Sequence, residues 1–163
     1  MSDTAALFAH LVRDLCGLWL DAHTLPLDER ITATYRGLGL VVASAAALPV
    51  LPGRAPGLAS PMLVDWPGLG AYEAYWRETD DGPVPMQASQ TVEVVFQQLW
   101  AGLEQHDAGD VEKAVGTWGA GFEALWGPAA LELLGVLQPA VLGYRADVRA
   151  SFRPARREAS PLV

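Results

Sequence analysis

Residues Ser89–His106 read SQTVEVVFQQLWAGLEQH, and Val111–Trp126 read VEKAVGTWGAGFEALW. In the first stretch Val92, Val95, Phe96, Leu99, Trp100 and Leu103 recur at three- and four-residue spacings. That spacing gathers them on one face of a helix, and the pattern runs too long for a strand over Thr91–Phe96. Ser89 is a plausible N-cap. His106-Asp107-Ala108-Gly109 makes a tight turn, and Asp110 is placed to cap the next helix, whose side is lined by Val115, Trp118, Phe122, Leu125 and Trp126. So short a turn folds the two helices back as an antiparallel pair. Gly127-Pro128 is expected to break the chain, with Pro128 opening a further helix along Leu131, Leu134, Leu137 and Val141 that Pro139 kinks or ends.

Working outward, the same period predicts a first helix from Asp3 or Thr4 to about Ala22. Leu7, Leu11, Leu15 and Leu18 form its stripe, widened by Phe8, Val12 and Trp19. A second helix starts near Pro26, with Asp28 and Glu29 at its positive end, and stops at Leu48-Pro49. Residues 49–68 hold five prolines and three glycines, which predicts irregular chain. That loop is also apolar, through Val50, Leu51, Leu58, Met62, Leu63, Val64 and Trp66, so it either packs on the domain or serves a site. A short helix over Leu69–Arg77 and a turn at Thr79–Pro83 complete the pattern. The expected fold is all-α: one compact bundle of five to six helices over residues 1–150, a Pro-rich loop after the second helix, and a flexible tail over 151–163.

The length of 163 residues suits a single domain, and 51% hydrophobic against 18% charged residues excludes wholesale disorder. A net charge of −8 argues against nucleic acid, although Arg145, Arg149, Arg153, Arg156 and Arg157 concentrate five of the 11 basic residues near the end. Those arginines read as a solvated helix end and tail. Cys16 is the single cysteine and reads as a small buried hydrophobe; one thiol without a partner fits a reducing compartment. Met1-Ser2-Asp3-Thr4 lacks the positive region of a signal peptide, and the apolar run Leu38–Leu51 is too short to span a bilayer. The expectation is a cytoplasmic protein with no membrane partner.

Several elements together resemble a bacterial family known as domain of unknown function 5063. They are Ala43-Ser44-Ala45-Ala46-Ala47-Leu48-Pro49, then Tyr75-Trp76, Gly102-Leu103, Ala108-Gly109-Asp110, and Trp118-x-x-x-Phe122-x-x-x-Trp126-Gly127. The likeness covers roughly residues 5–142, and the Trp-Phe-Trp-Gly element is its most specific part. It implies a compact helical domain and supplies no activity. The family pattern carries several aspartates ahead of a Tyr where this chain reads Gln90-Thr91-Val92-Glu93-Val94-Val95-Phe96-Gln97-Gln98, with Glu93 the one acid.

No catalytic, metal or cofactor motif emerges. His10 and Asp14 sit at i, i+4, and Glu104, His106, Asp107 and Asp110 cluster at a turn; both sets read more simply as solvated polar residues than as metal ligands. Glu93, Glu123 and Glu132 lie in apolar helical windows and read as boundary residues. Gly116-x-x-Gly119-x-Gly121 has no preceding strand and no Lys, so it reads as a seat for another helix instead of a phosphate cradle. Two functions follow. The first is a non-enzymatic interaction or self-association module, with Leu63 and Trp66 of the loop at the interface. The alternative is a small-molecule site, with or without catalysis, walled by Trp76, Trp118, Phe122 and Trp126, with the loop as lid.

Overall fold

The computed structural model describes residues 2–59, 61–63 and 65–143. Five helices carry the fold: α1 (Ser2–Leu20), α2 (Leu27–Ala45), α3 (Ala88–Asp107), α4 (Val111–Ala124) and α5 (Trp126–Val141). Between α2 and α3 the chain adds an antiparallel hairpin, β1 (Ala74–Thr79) and β2 (Gly82–Gln87). The all-α expectation therefore holds, with this small sheet as an addition. α3 lies at the centre, packed against α1, α4 and α5, while α2 packs on α1 and α5. Residues 144–150, the expected tail over 151–163 and its arginines lie outside the described residues.

Period alone places the five long helices but not always their faces. The buried stripe of α1 is Ala5, Phe8, Ala9, Val12, Leu15, Cys16 and Trp19, whereas Leu7 is 57% exposed. The aromatic side chains, which bury the most surface, set the rotation of the helix. Phe8 meets Trp118 edge-on with ring centroids 4.9 Å apart and lies 6.3 Å from Trp126. The Trp19 indole N–H donates to Thr34 Oγ1 of α2 at 3.3 Å, which satisfies both buried groups.

Three sequence expectations are corrected. The short helix over Leu69–Arg77 is instead a single 3-10 turn, Gly70–Tyr72, followed by β1. Tyr75, Trp76 and Arg77 alternate inward and outward, and the Asp80-Asp81 turn ahead of Gly82 closes a hairpin. The break expected at Gly127-Pro128 falls earlier, at Leu125 (φ −144°, ψ −71°), so Pro128 sits in the first turn of α5, where its missing N–H costs no helical bond. Ser89 does not cap α3. Glu73 does that work from the hairpin's approach: its carboxylate accepts the Ser89 N–H at 3.0 Å and its carbonyl accepts the Ala88 N–H at 2.7 Å. Asp110 does cap α4, accepting the Lys113 N–H. Helix α5 continues through Pro139 and ends two residues later.

Two close approaches depend on missing side chains. A Cβ at Gly102 would lie 2.2 Å from Trp118 Nε1, so only glycine lets the indole lie on α3. The Pro-rich loop crosses α4 backbone to backbone, and a Cβ at Gly53 would fall 2.0 Å from the Gly116 carbonyl oxygen. Gly116 is thus the seat of the loop rather than of a helix. Replacing Gly102 by Ala should lower stability by about 2 kcal/mol or more through overpacking, read as a lower urea midpoint at unchanged slope.

Candidate functional site at the hairpin

In β1 and β2 the pairs Tyr75–Met86 and Arg77–Val84 share one face, and Ala74–Gln87, Trp76–Pro85 and Glu78–Pro83 share the other. The first face docks on the bundle. Tyr75 is buried, and its hydroxyl hydrogen-bonds Thr91 Oγ1 of α3 at 2.6 Å. Burial pushes the Tyr75 phenol above its ordinary value, with the Thr91 bond opposing. Arg77 reaches α5: its Nε donates to both carboxylate oxygens of Glu132 at 2.8 and 2.9 Å, and its Nη2 donates to Oε2 as well. The Glu132 carboxylate holds the guanidinium above its usual range. Beneath the pair lies a cleft of about 480 Å³, whose apolar walls include Met86, Val94, Leu125 and Ala129. A paired charge over an apolar floor suits an amphipathic group; Arg77 is too fully neutralised by Glu132 to select a strong anion.

The second face stands in solvent, with Trp76 66% exposed. Trp76 is therefore separated from the other three aromatic residues expected to wall a pocket. Trp118 and Trp126 are fully buried, and their N–H groups are satisfied: Trp118 donates to the Leu99 carbonyl at 3.0 Å, Trp126 to the Trp118 carbonyl at 2.9 Å. Phe122 is half-buried, 4.8 Å from the Trp126 ring between centroids. These three pack on the core, and the two indole N–H groups are spent on backbone carbonyls, leaving none to orient a ligand.

Nor does the loop hang free. Glu93 accepts the N–H groups of Met62 (2.6 Å) and Leu63 (3.0 Å), Gln97 Oε1 accepts that of Ala59 (2.7 Å), and Gln98 donates to the Pro56 carbonyl (2.8 Å). Leu63 and Trp66, expected at an interface, are half-buried and pack against the core. At the loop's far end the buried Arg30 guanidinium donates to the carbonyls of Ala22, Leu25 and Gly68. Glu93, Gln97 and Gln98 of α3 are thus a clamp for the loop, a role the sequence signals only through their i, i+4, i+5 spacing.

The remaining candidates are dispersed. His10 and Asp14 form an exposed pair 3.4 Å apart. Asp107 lies 3.3 Å from His106 Nδ1 and binds Arg13 at 2.5 Å, tying α1 to the end of α3. Among the described residues no three His, Cys, Asp or Glu side chains converge as metal ligands. Cys16 is fully buried, and burial pushes its thiol from 9.0 up to about 12, as expected of an inert hydrophobe. Among the described residues no single helix is long and apolar enough to cross a membrane.

No family model matches the chain, and no curated protein matches it. Among solved structures the fold is similar to that of protein BF1032 from Bacteroides fragilis, with a TM-score of 0.69 at 14% identity, covering 95% of this chain and 96% of that one. At that identity the likeness concerns the fold alone.

Two outcomes check this geometry. Glu132→Ala should cost about 1 kcal/mol in urea unfolding and speed amide exchange in β1 and β2 ahead of the helices. Cys16 should resist thiol reagents in the native protein and react fully in denaturant. Because the unfolded thiol ionises near 9.0 and the folded one near 12, the contribution of this group to stability is constant below pH 9 and falls as pH rises towards 12, by about 1 kcal/mol per pH unit. Cys16→Ala should flatten that slope.

Proposed function

We propose that the chain is a non-enzymatic protein-interaction module that self-associates through its hairpin. One observation carries this reading: Trp76, the largest exposed aromatic side chain among the described residues, stands 66% exposed on a two-stranded sheet anchored from behind by Arg77–Glu132 and Tyr75–Thr91. Tryptophan on a rigid base is the residue type that most often dominates binding energy, because it brings large area at little entropic cost. The interface thus moves from the loop residues Leu63 and Trp66 to the hairpin. A second reading, small-molecule binding, is supported by the cleft beneath Arg77 and Glu132, and would place the ligand there instead of among Trp118, Phe122 and Trp126.

Native mass spectrometry and sedimentation velocity over a concentration series test both. Self-association predicts a dimer that Trp76→Ala weakens about 30-fold, the effect of one hot-spot residue. Each chain carries a net charge of −8, so raising salt from about 0.05 to about 0.5 M should strengthen the dimer by screening repulsion. A chain that stays monomeric at every concentration overturns the reading. Retained extra mass lost on Arg77→Met would favour the second.

A further inference from the structure

The two edges of the hairpin are chemically unequal. β2 carries Pro83 and Pro85, opposite Glu78 and Trp76. Proline has no N–H for the ladder, so Pro83 and Pro85 must occupy positions whose main-chain groups face away from β1. The alternation of an antiparallel ladder then makes Thr79–Gly82, Arg77–Val84 and Tyr75–Met86 the hydrogen-bonded pairs. On β1 it turns the N–H and C=O of Ala74, Trp76 and Glu78 outward. The outer edge of β2 is therefore closed at two of its donor positions, while that of β1 is open, and Trp76 and Glu78 are both exposed on it.

Resting on the self-association reading above, we propose that β1 pairs antiparallel with β1 of a second copy, making a continuous sheet β2–β1–β1–β2 about a twofold axis at Trp76. A twofold axis normal to the sheet keeps each face on its own side, so paired residue numbers must share parity. The register centred on Trp76 sets Trp76 against Trp76 of the other copy, Ala74 against Glu78, and Tyr75 against Arg77. Every outward N–H then meets an outward C=O, and no like charges stand opposite. The antiparallel sense carries the acidic tips, Asp80 and Asp81, to opposite ends of the joint sheet. This self-complementarity selects a second copy over an unrelated strand.

The test separates main chain from side chain. Glu78→Pro removes one outward N–H and leaves the pairing with β2 intact, because Glu78 faces Pro83; Glu78→Ala keeps the N–H. Glu78→Ala should dimerise like the unaltered protein, and Glu78→Pro at least 10-fold more weakly, with circular dichroism reporting that both are folded. Independently, Ala74 and Glu78 of opposite copies would be a hydrogen-bonded pair about 5.5 Å apart between Cα atoms, within disulfide reach. A mixture of Ala74→Cys and Glu78→Cys chains should therefore form a crosslinked heterodimer under mild oxidation, and neither chain alone should crosslink. A dimer that Trp76→Ala weakens but that survives Glu78→Pro and yields no crosslink overturns edge pairing and leaves the hairpin interface standing. A monomer at all concentrations overturns both. If Glu78→Pro does not fold, the crosslink alone decides.

Discussion

The Trp118 indole lies flat against the one place on α3 where no side chain stands, Gly102, and donates its N–H to the Leu99 carbonyl one turn earlier. Four elements take their positions from that contact. The distance between α3 and α4 is set by ring thickness rather than by interleaved aliphatic chains. Phe8 fixes the rotation of α1 by meeting the ring edge-on. The Trp118 carbonyl receives the Trp126 N–H, which fixes the first turn of α5 just past the bend at Leu125. An unsatisfied indole N–H here would cost on the order of 1–3 kcal/mol, so ring and hydrogen bond act together.

The helices were legible because each is long enough to repeat its apolar period several times. Faces and breaks were less so. Leu7 belongs to the leucine stripe by spacing, yet Phe8, one position on, is what the core takes; spacing ranks positions equally, whereas burial favours the larger ring. The bend at Leu125 carries no Gly or Pro of its own. It arises because Trp126 must turn inward under Trp118, a demand made by a residue in another part of the core. The strand β1 is not legible from period, because Tyr72, Tyr75 and Trp76 also fit a helical turn, and six residues are too few to separate the two periods. The Asp-Asp-Gly turn that follows, with strand-favouring Tyr, Trp and Thr before it, is the available signal.

The candidate site was legible only in its materials. By sequence Trp76 groups with Trp118, Phe122 and Trp126, because aromatic residues with neighbouring glycines can wall a pocket. The glycines instead serve contact: Gly102 receives Trp118, and Gly116 receives Gly53 of the loop. No local pattern distinguishes a glycine that makes room for a ligand from one that makes room for the protein itself. Glu93 illustrates the same limit. Its surroundings suggest a boundary residue, and the structure gives it two loop N–H groups, Met62 and Leu63, 31 and 30 positions away in the chain.

The clamp on the loop and the anchor of the hairpin have opposite consequences for the surface. Glu93, Gln97 and Gln98 hold the Pro-rich loop by its main chain at Pro56, Ala59, Met62 and Leu63, which seats Leu51, Leu63 and Trp66 on the core, while Val50, Leu58 and Met62 stay exposed. Arg77 and Tyr75 hold the hairpin by side chains alone. That fixes its inner face and leaves the main-chain groups of one edge unspent. A segment tied down through its backbone has little left to offer a partner, whereas a strand tied down through its side chains remains a template. The place to look for partners is therefore the smallest element of the fold, where the prolines have closed one edge and the chain has left the other open.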